Sequence, residues 1–230
     1  MTPIQSISNS ISRTVVSLVL LVACLMQADA QKLFKLEKDS IPIMRGFQVS
    51  FDLAGAAQLV LSDYGQYEGA LRLNIHDQWF PIVELGYGKA NHVDDEVTGL
   101  SYKTAAPYFR VGVDFNLLNK KHQANRLFAG FRYAHTSYKV DVWRHDLQDP
   151  VWKAPAFYEV HDVACYQHWA EIVFGLDAQI WGPAHLGWSV RYRQRLSHGE
   201  GDLGNSWYVP GYGTQDTSKL GATFNVIIDI

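Results

Sequence analysis

Trp169 to Arg195 reads WAEIVFGLDAQIW (169–181), GP (182–183) and AHLGWSVRYRQR (184–195), and its alternation decides the fold. In steps of two, Ala170, Ile172, Phe174, Leu176, Ala178 and Ile180 share one face. Glu171, Gly175, Asp177 and Gln179 share the other, with Val173 and Trp181 out of character. The return run sets Leu186, Trp188, Val190 and Tyr192 against His185, Gly187, Ser189, Arg191, Arg193 and Arg195. A period of two is that of a β-strand, whose successive side chains point to opposite faces. Gly182-Pro183 is a tight-turn signal. The stretch is therefore a β-hairpin, with arms longer than the roughly 5–6 residues usual in globular proteins.

The two faces carry opposite chemistry. In a soluble sheet the apolar face meets a core and the charged face meets water. In a membrane barrel the apolar face meets lipid and the charged face meets the lumen. The hairpin fits both cases, and the rest of the chain separates them.

At 230 residues the chain suffices for one sizeable domain. A mean hydropathy of −0.11 excludes a polytopic helical membrane protein but suits a barrel, whose alternation averages apolar against polar residues. Aromatic residues make up 13%, and Trp and Tyr favour membrane–water interfaces. A formal net charge of −3 gives no electrostatic case for a nucleic-acid partner. No Walker A motif, dinucleotide fingerprint or paired CxxC appears, so no cofactor is expected. Of the two cysteines, Cys24 lies in an N-terminal leader, which leaves Cys165 a lone thiol with no chemistry assigned.

Residues 1–30 read as a secretory signal peptide. Arg13 supplies positive charge, Thr14 to Met26 is apolar but short for a bilayer span, and Ala28-Asp29-Ala30 is a cleavage site. Leu21-Val22-Ala23-Cys24 also fits a lipoprotein box, which would make Cys24 a lipidated N-terminus; cleavage near Ala30 is the favoured reading. Residues 31–45 read as a periplasmic tether and 46–230 as the barrel domain.

Alternation recurs along that domain. The first strand sets Phe47, Val49, Phe51 and Leu53 against Gln48, Ser50 and Asp52, and continues to about Leu61 through an Ala-rich part of unclear phase. Others are centred on Tyr67–Ile75, Trp79–Gly88, Tyr108–Asn116 and Leu127–Ala134, followed by the hairpin arms and by Lys219–Ile230. The turns after strands two, four and six (His76–Gln78, Leu117–Asn125, Gly182–Pro183) are the shorter set. Polar or Gly-rich loops follow strands three, five and seven, over about 89–106, 139–168 and 196–217. The turn after strand one breaks the rule by being short. Short turns at one end and long loops at the other are the asymmetry of an outer-membrane barrel. The expectation is an all-β protein: an eight-stranded antiparallel up-and-down transmembrane β-barrel with short periplasmic turns and long extracellular loops, in the cell outer membrane. A soluble lipocalin-like ligand carrier, with its apolar face inside, is the alternative.

On the barrel reading Asp52, Glu68, Glu84, Asp114, Glu171, Asp177 and Asp229 point inward, against Arg72, Arg110, Arg132, Arg191, Arg193, Arg195 and Lys219. The interior of so small a barrel is just wide enough for side chains, so its charges must pair. A lumen ion-pair network is expected from Asp52, Glu68, Arg72, Glu84, Arg110, Asp114, Arg132, Glu171, Asp177, Arg191, Arg193 and Arg195. Such a balanced interior argues for a plugged barrel rather than a small pore.

Candidate chemistry is sparse. His135 and Ser137, two apart in the outward phase of strand five, resemble the His and Ser of the outer-membrane lipid A deacylases, small barrels in which an acid completes the site. No Glu follows before Glu159, with Asp141 and Asp146 nearer, so an interfacial His and Ser is the bland reading and no catalysis is expected. His92, His145, His161, His168 and His198 show no zinc spacing and read as solvated loop residues, so no metal is expected. Loop aromatics (Trp143, Trp152, Phe157, Tyr158 and Tyr166, then Trp207, Tyr208 and Tyr212) fit either a surface that binds an extracellular protein or glycan, or a lid packed on itself.

Tyr67-Glu68-Gly69-Ala70-Leu71-Arg72, Glu84-Leu85-Gly86-Tyr87-Gly88-Lys89-Ala90, Ala106-Pro107-Tyr108-Phe109-Arg110-Val111-Gly112, Ile180-Trp181-Gly182-Pro183 and Gly187-Trp188-Ser189-Val190-Arg191-Tyr192 resemble an uncharacterised family of outer-membrane β-barrel-like proteins, domain of unknown function 6048. The resemblance covers most of residues 45–230 and implies fold and location but no activity. One departure is that the chain ends in Ile230, where many such barrels end in Phe or Trp. The expected role is structural within the envelope, or loop-mediated binding, with outer-membrane lipid around the wall.

Overall fold

The computed structural model describes residues 42–95, 98–149, 151–199, 201, 206–214 and 216–230. The stretch read as a signal peptide, Cys24, most of the stretch read as a tether, Glu96 and Pro150 lie outside them, as does the side chain of His145. Among the described residues the large strands are β1 (Met44–Asp52), β2 (Tyr64–Ile75), β3 (Trp79–His92), β4 (Ser101–Asn116), β5 (Arg126–Gln148), β6 (Pro155–Trp181), β7 (Ala184–Gly199) and β10 (Ser218–Asp229). They close in the order β1-β10-β7-β6-β5-β4-β3-β2, every pair antiparallel. This is an all-β, eight-stranded up-and-down barrel. A two-stranded ribbon, β8 (Tyr208–Val209) and β9 (Gly213–Thr214), sits in the last loop.

The alternation has the sense of a membrane barrel. Outward residues such as Leu85, Val111, Phe131, Phe174, Val190 and Leu220 are exposed and apolar. Their inward neighbours Glu84, Arg110, Arg132 and Glu171 are buried. The soluble lipocalin-like alternative requires the reverse. Aromatic residues edge the apolar belt, with Trp79 and Trp181 toward the short-turn end and Tyr67, Tyr87, Tyr133 and Tyr192 toward the other. From Trp79 to Tyr87 along a strand tilted about 40° is about 20 Å along the axis, against about 25 Å for a typical apolar band.

Above the belt the pattern inverts while the strands run on. On β5 the inward residues become apolar (Ala134, Tyr138, Val140, Val142) and the outward ones polar (Ser137, Lys139). Outside the bilayer the wall faces water, so the oily side turns to the lumen. Three expected loops therefore shrink. The 139–168 segment is largely strand, since β5 has 23 residues and β6 has 27, and they pair up to Gln148↔Pro155. The 89–106 loop shortens because β3 reaches His92 and β4 starts at Ser101. β7 runs to Gly199, with a bulge opposite His168 and Trp169. β1 begins at Met44, inside the stretch read as a tether.

Strand one also departs from expectation. It stops at Asp52, and the Ala-rich stretch becomes a helix, α1 (Leu53–Leu61). Asp52 causes the switch as an N-cap, accepting from the Ala54 and Gly55 backbone N–H groups at 3.0 and 3.2 Å. The connection after β1 is thus a helix and turn on the long-loop side, and the exception in loop length disappears.

At the short-turn end His76 and Asp77 both take positive φ, 57° and 55°, as a type I′ hairpin demands. Between β4 and β5 the backbones approach so closely at Gly112 that a Cβ would overlap the Phe131 carbonyl oxygen and meet Arg132 Cδ at 2.7 Å. Gly112→Ala is therefore expected to lose about 1–3 kcal/mol through overpacking. Gly69→Ala, whose Cβ would meet nothing nearer than 3.7 Å, serves as the control. Heat-modifiable gel mobility across a temperature series reads both: the first loses its folded band several degrees earlier, and the second matches the parent.

Candidate functional site

The lumen holds the chemistry. Each inward charge is fixed by its strand register, and the paired rows bring opposite charges together: Glu84 lies beside Arg110, and Arg132 beside Glu171. In the lower part Asp177 accepts from Arg72 Nη1 at 3.0 Å and also pairs with Arg126. Arg72 Nη2 reaches Asp114 at 3.2 Å, and Arg132 Nη2 meets the same carboxylate at 2.7 Å. Arg132 Nε then reaches Glu84 at 3.2 Å and links the lower cluster to the upper one. There Glu84 also takes Arg191 at 2.7 Å and Arg110 at 3.2 Å. Arg110 pairs with Glu68 and, through Nε at 2.9 Å, with Glu171. Glu171 draws in Arg193 at 3.4 Å and accepts from Trp169 Nε1 at 2.7 Å.

All of these side chains are buried. Five carboxylates (Glu68, Glu84, Asp114, Glu171, Asp177) face six guanidiniums (Arg72, Arg110, Arg126, Arg132, Arg191, Arg193) among the described residues. Each of these carboxylates meets at least two cations; for Glu68 the second is Arg191, at 3.4 Å. No acid of the network therefore stands alone against the apolar wall. Arginine suits this because its planar fork serves two carboxylates from one position.

The membership differs from the sequence expectation in three places. Asp52 points inward but makes no ion pair among the described residues; its Oδ1 also accepts from Phe224 N at 3.2 Å, extending the ladder to β10 where β1 has ended. Arg195 is only half-buried and makes no described ion pair, because it lies at the β6–β7 bulge above the network. Arg126, which falls between the expected turn (Leu117–Asn125) and the expected strand and is assigned to neither, is the first residue of β5 and a full member. Two other inward charges also stand apart. Asp229 pairs with His185 at 3.1 Å at the lower rim, and Lys219 bonds Thr214.

Above the charges the last loop folds into the barrel. Tyr208, Val209 and Tyr212 are buried among Tyr102, Tyr108, Tyr138, Val140 and Trp169. The loop backbone is tied down from the wall: Arg110 Nη2 donates to Gly211 O and Arg193 Nη1 to Tyr212 O, both at 2.7 Å. Tyr102 Oη donates to Tyr208 O at 2.7 Å. Gly211 is at φ 82° with its Cα face against the Tyr108 ring, a conformation and a proximity that suit glycine alone. Of the two aromatic loops, this one is the stopper. Trp207 closes its rim by stacking on His92 at 4.7 Å. His92 in turn meets Asp63 at 2.9 Å and Asp95 at 3.4 Å, and the Asp63 bond, with help from Asp95, raises its pKa.

The other aromatic loop faces outward. On the projecting β5–β6 hairpin Val151, Trp152 and Phe157 are 74–82% exposed. Cys165 of β6 is buried in the lumen core, its Sγ 3.6 Å from Val163 O. His135 and Ser137 lie outward on β5, as their phase requires. His135 stacks on His168 at 4.3 Å, and His168 Nδ1 is engaged by Tyr133 Oη at 2.6 Å. No described hydrogen bond joins Ser137 to His135, and no described carboxylate orients the ring. Among the described residues no three His, Cys, Asp or Glu side chains converge as metal ligands.

Removing one partner from a buried ion pair strands the others and costs about 3–5 kcal/mol. Arg132→Met, which takes one cation each from Asp114 and Glu84, is expected to lower unfolding stability by up to that order in a urea titration. The double variant with Asp114→Leu should recover part of the loss. For the stopper, a raised folded pKa means that the charged His92 contributes stability below its unfolded value, near 6.5, and that this fades as pH rises through the folded value. An NMR titration should place the His92 midpoint above that of a free imidazole, and Asp63→Asn should bring it down.

Solved structures to which the chain is similar include Neisserial surface protein A, at 11% identity and TM-score 0.44, covering 81% of this chain and 99% of that one. A major outer membrane protein from Thermus thermophilus matches at 12% identity and TM-score 0.48, covering 80% and 98%. Acinetobacter baumannii CarO2 matches at 12% identity and TM-score 0.40, covering 82% and 99%. No curated protein matches the sequence. The family model of domain of unknown function 6048 matches residues 11–229, and the chain belongs to that family.

Proposed function

We propose that this protein is a closed, non-conducting barrel of the outer membrane whose work is done by what it holds outside the bilayer. The observation that carries the reading is the filled lumen: an ion-pair layer crossed by Arg132, with a folded loop packed above it. Charges paired at 2.7–3.2 Å leave no column of water for ions to follow. The exposed apolar belt supports the location, with lipid as the partner of the wall. The β5–β6 hairpin supports a binding role in the envelope. Trp152 at 82% and Phe157 at 74% exposure, held on a long paired ribbon, offer aromatic contact area to an extracellular protein or glycan.

Fractionation of cells should recover the mature protein with the outer membrane; recovery as a soluble periplasmic monomer would sink the proposal. In planar bilayers it should give no steady conductance. Replacing residues 206–214 by a short Gly-Ser linker should leave the bilayer silent too, because the ion-pair layer below remains. Steady channels in the parent protein would favour the pore reading instead.

A further inference from the structure

The barrel wall has a gap near its outer rim. β1 ends at Asp52, paired with Asn225, but its neighbours run on. β2 continues up to Tyr64 and β10 to Ser218, each paired only on its far side. Two strand spacings, about 9.5 Å, separate them there. α1 stands in that gap in place of a strand. It fits closely against β2, where Gly65 approaches the Leu59 backbone and Gly55 approaches Gln66. Against β10 it fits loosely and leaves a cavity of about 490 Å³.

The cavity is amphipathic in a definite direction. Its outer wall is apolar: Ala54, Ala57 and Leu61 of α1 on one side, Leu220 and Ala222 of β10 on the other. Leu61 is 83% and Leu220 69% exposed, and Leu220 pairs with Tyr192 of the upper aromatic edge. The mouth therefore opens at the height of the outer-leaflet interface. Its inner end holds two cations, Arg193 and Lys219. Arg193 is 7% exposed, and no partner is described for its Nη2; the missing side chain of Gly221 leaves room beside that atom. The described bonds of Lys219 Nζ go to Thr214, a neutral partner. The one carboxylate in the lining, Asp52, is spent on three backbone N–H groups.

We propose that this side pocket binds an amphiphile with a small oxyanion head, a phosphate or carboxylate, set between Arg193 and Lys219 while its apolar body leaves past α1 into the outer leaflet. The volume suits a head and the first part of a chain, within the roughly 300–1,000 Å³ of ordinary ligand sites. The proposal does not depend on the closed-lumen reading, since the pocket enters from the side.

Dodecyl phosphate is the probe, titrated into the full mature protein in phosphatidylcholine nanodiscs and read by the methyl resonances of Ala54, Ala57 and Ala222. Saturable shifts are expected, with inorganic phosphate at least about a hundredfold weaker. Lys219→Ala should weaken binding about tenfold, the order expected from one charge contact of about 1.4 kcal/mol. Ala57→Trp, at an exposed position of α1, should fill the pocket and abolish binding. Absence of saturable shifts, or binding that ignores both substitutions, overturns the site. Equal affinity for inorganic phosphate overturns the amphiphile as its ligand.

Discussion

An eight-stranded barrel is too narrow to leave its inward charges in water and too apolar outside to put them anywhere else. That constraint governs the rest of the structure. Burying an unpaired carboxylate or guanidinium costs several kcal/mol even after relaxation. The lumen meets the cost by sharing: Arg132 serves Asp114 and Glu84, Arg110 serves Glu68, Glu84 and Glu171, and Arg72 serves Asp114 and Asp177. Small residues are part of the same solution. Gly112 and Gly130 stand where Arg132 and Asp114 need the space. The network also reaches upward, because Arg110 and Arg193 hold the in-folded loop by its carbonyl groups.

The wall reads as two zones stacked along the axis. In the belt, lipid outside and charges inside give apolar-out alternation. Above it, water outside and the stopper inside give apolar-in alternation, with Tyr138, Val140 and Val142 packed toward Tyr208 and Tyr212. On β5 the strand phase carries through from Arg132 to Val142; the solvent outside changes. This is why the β5–β6 ribbon stands clear of the bilayer without breaking, and why its tip can present Trp152 and Phe157.

The same inversion explains what could be read from the sequence. Period-two alternation with apolar residues outward located the belt portion of every strand. It lost each strand where the pattern turned over, so 139–168 looked like loop. Most lumen charges on the belt strands, such as Arg72, Glu84, Arg110, Asp114, Arg132 and Arg191, were legible because each sits between two apolar neighbours. Arg126 was not, since it follows the basic turn and has Asn125 rather than an apolar residue before it. α1 was illegible because Leu53-Ala54-Gly55-Ala56-Ala57 has no phase to read; its signal was Asp52, which caps a helix as readily as it fills a lumen. The stopper left only a hint, Pro210-Gly211 between aromatics, and its burial follows from tertiary contacts that no local pattern encodes.

The central claim is that the lumen is dry and its guanidiniums are locked. Hydrogen exchange of the arginine side chains, followed by NMR after transfer to D2O at neutral pH, tests it directly. The account predicts persistent Nε–H and Nη–H signals from Arg72, Arg110, Arg132 and Arg191, with Arg144, out on the β5–β6 ribbon, exchanging at once. If all of them exchange within the dead time, water runs through the barrel and the ion pairs do not fill it.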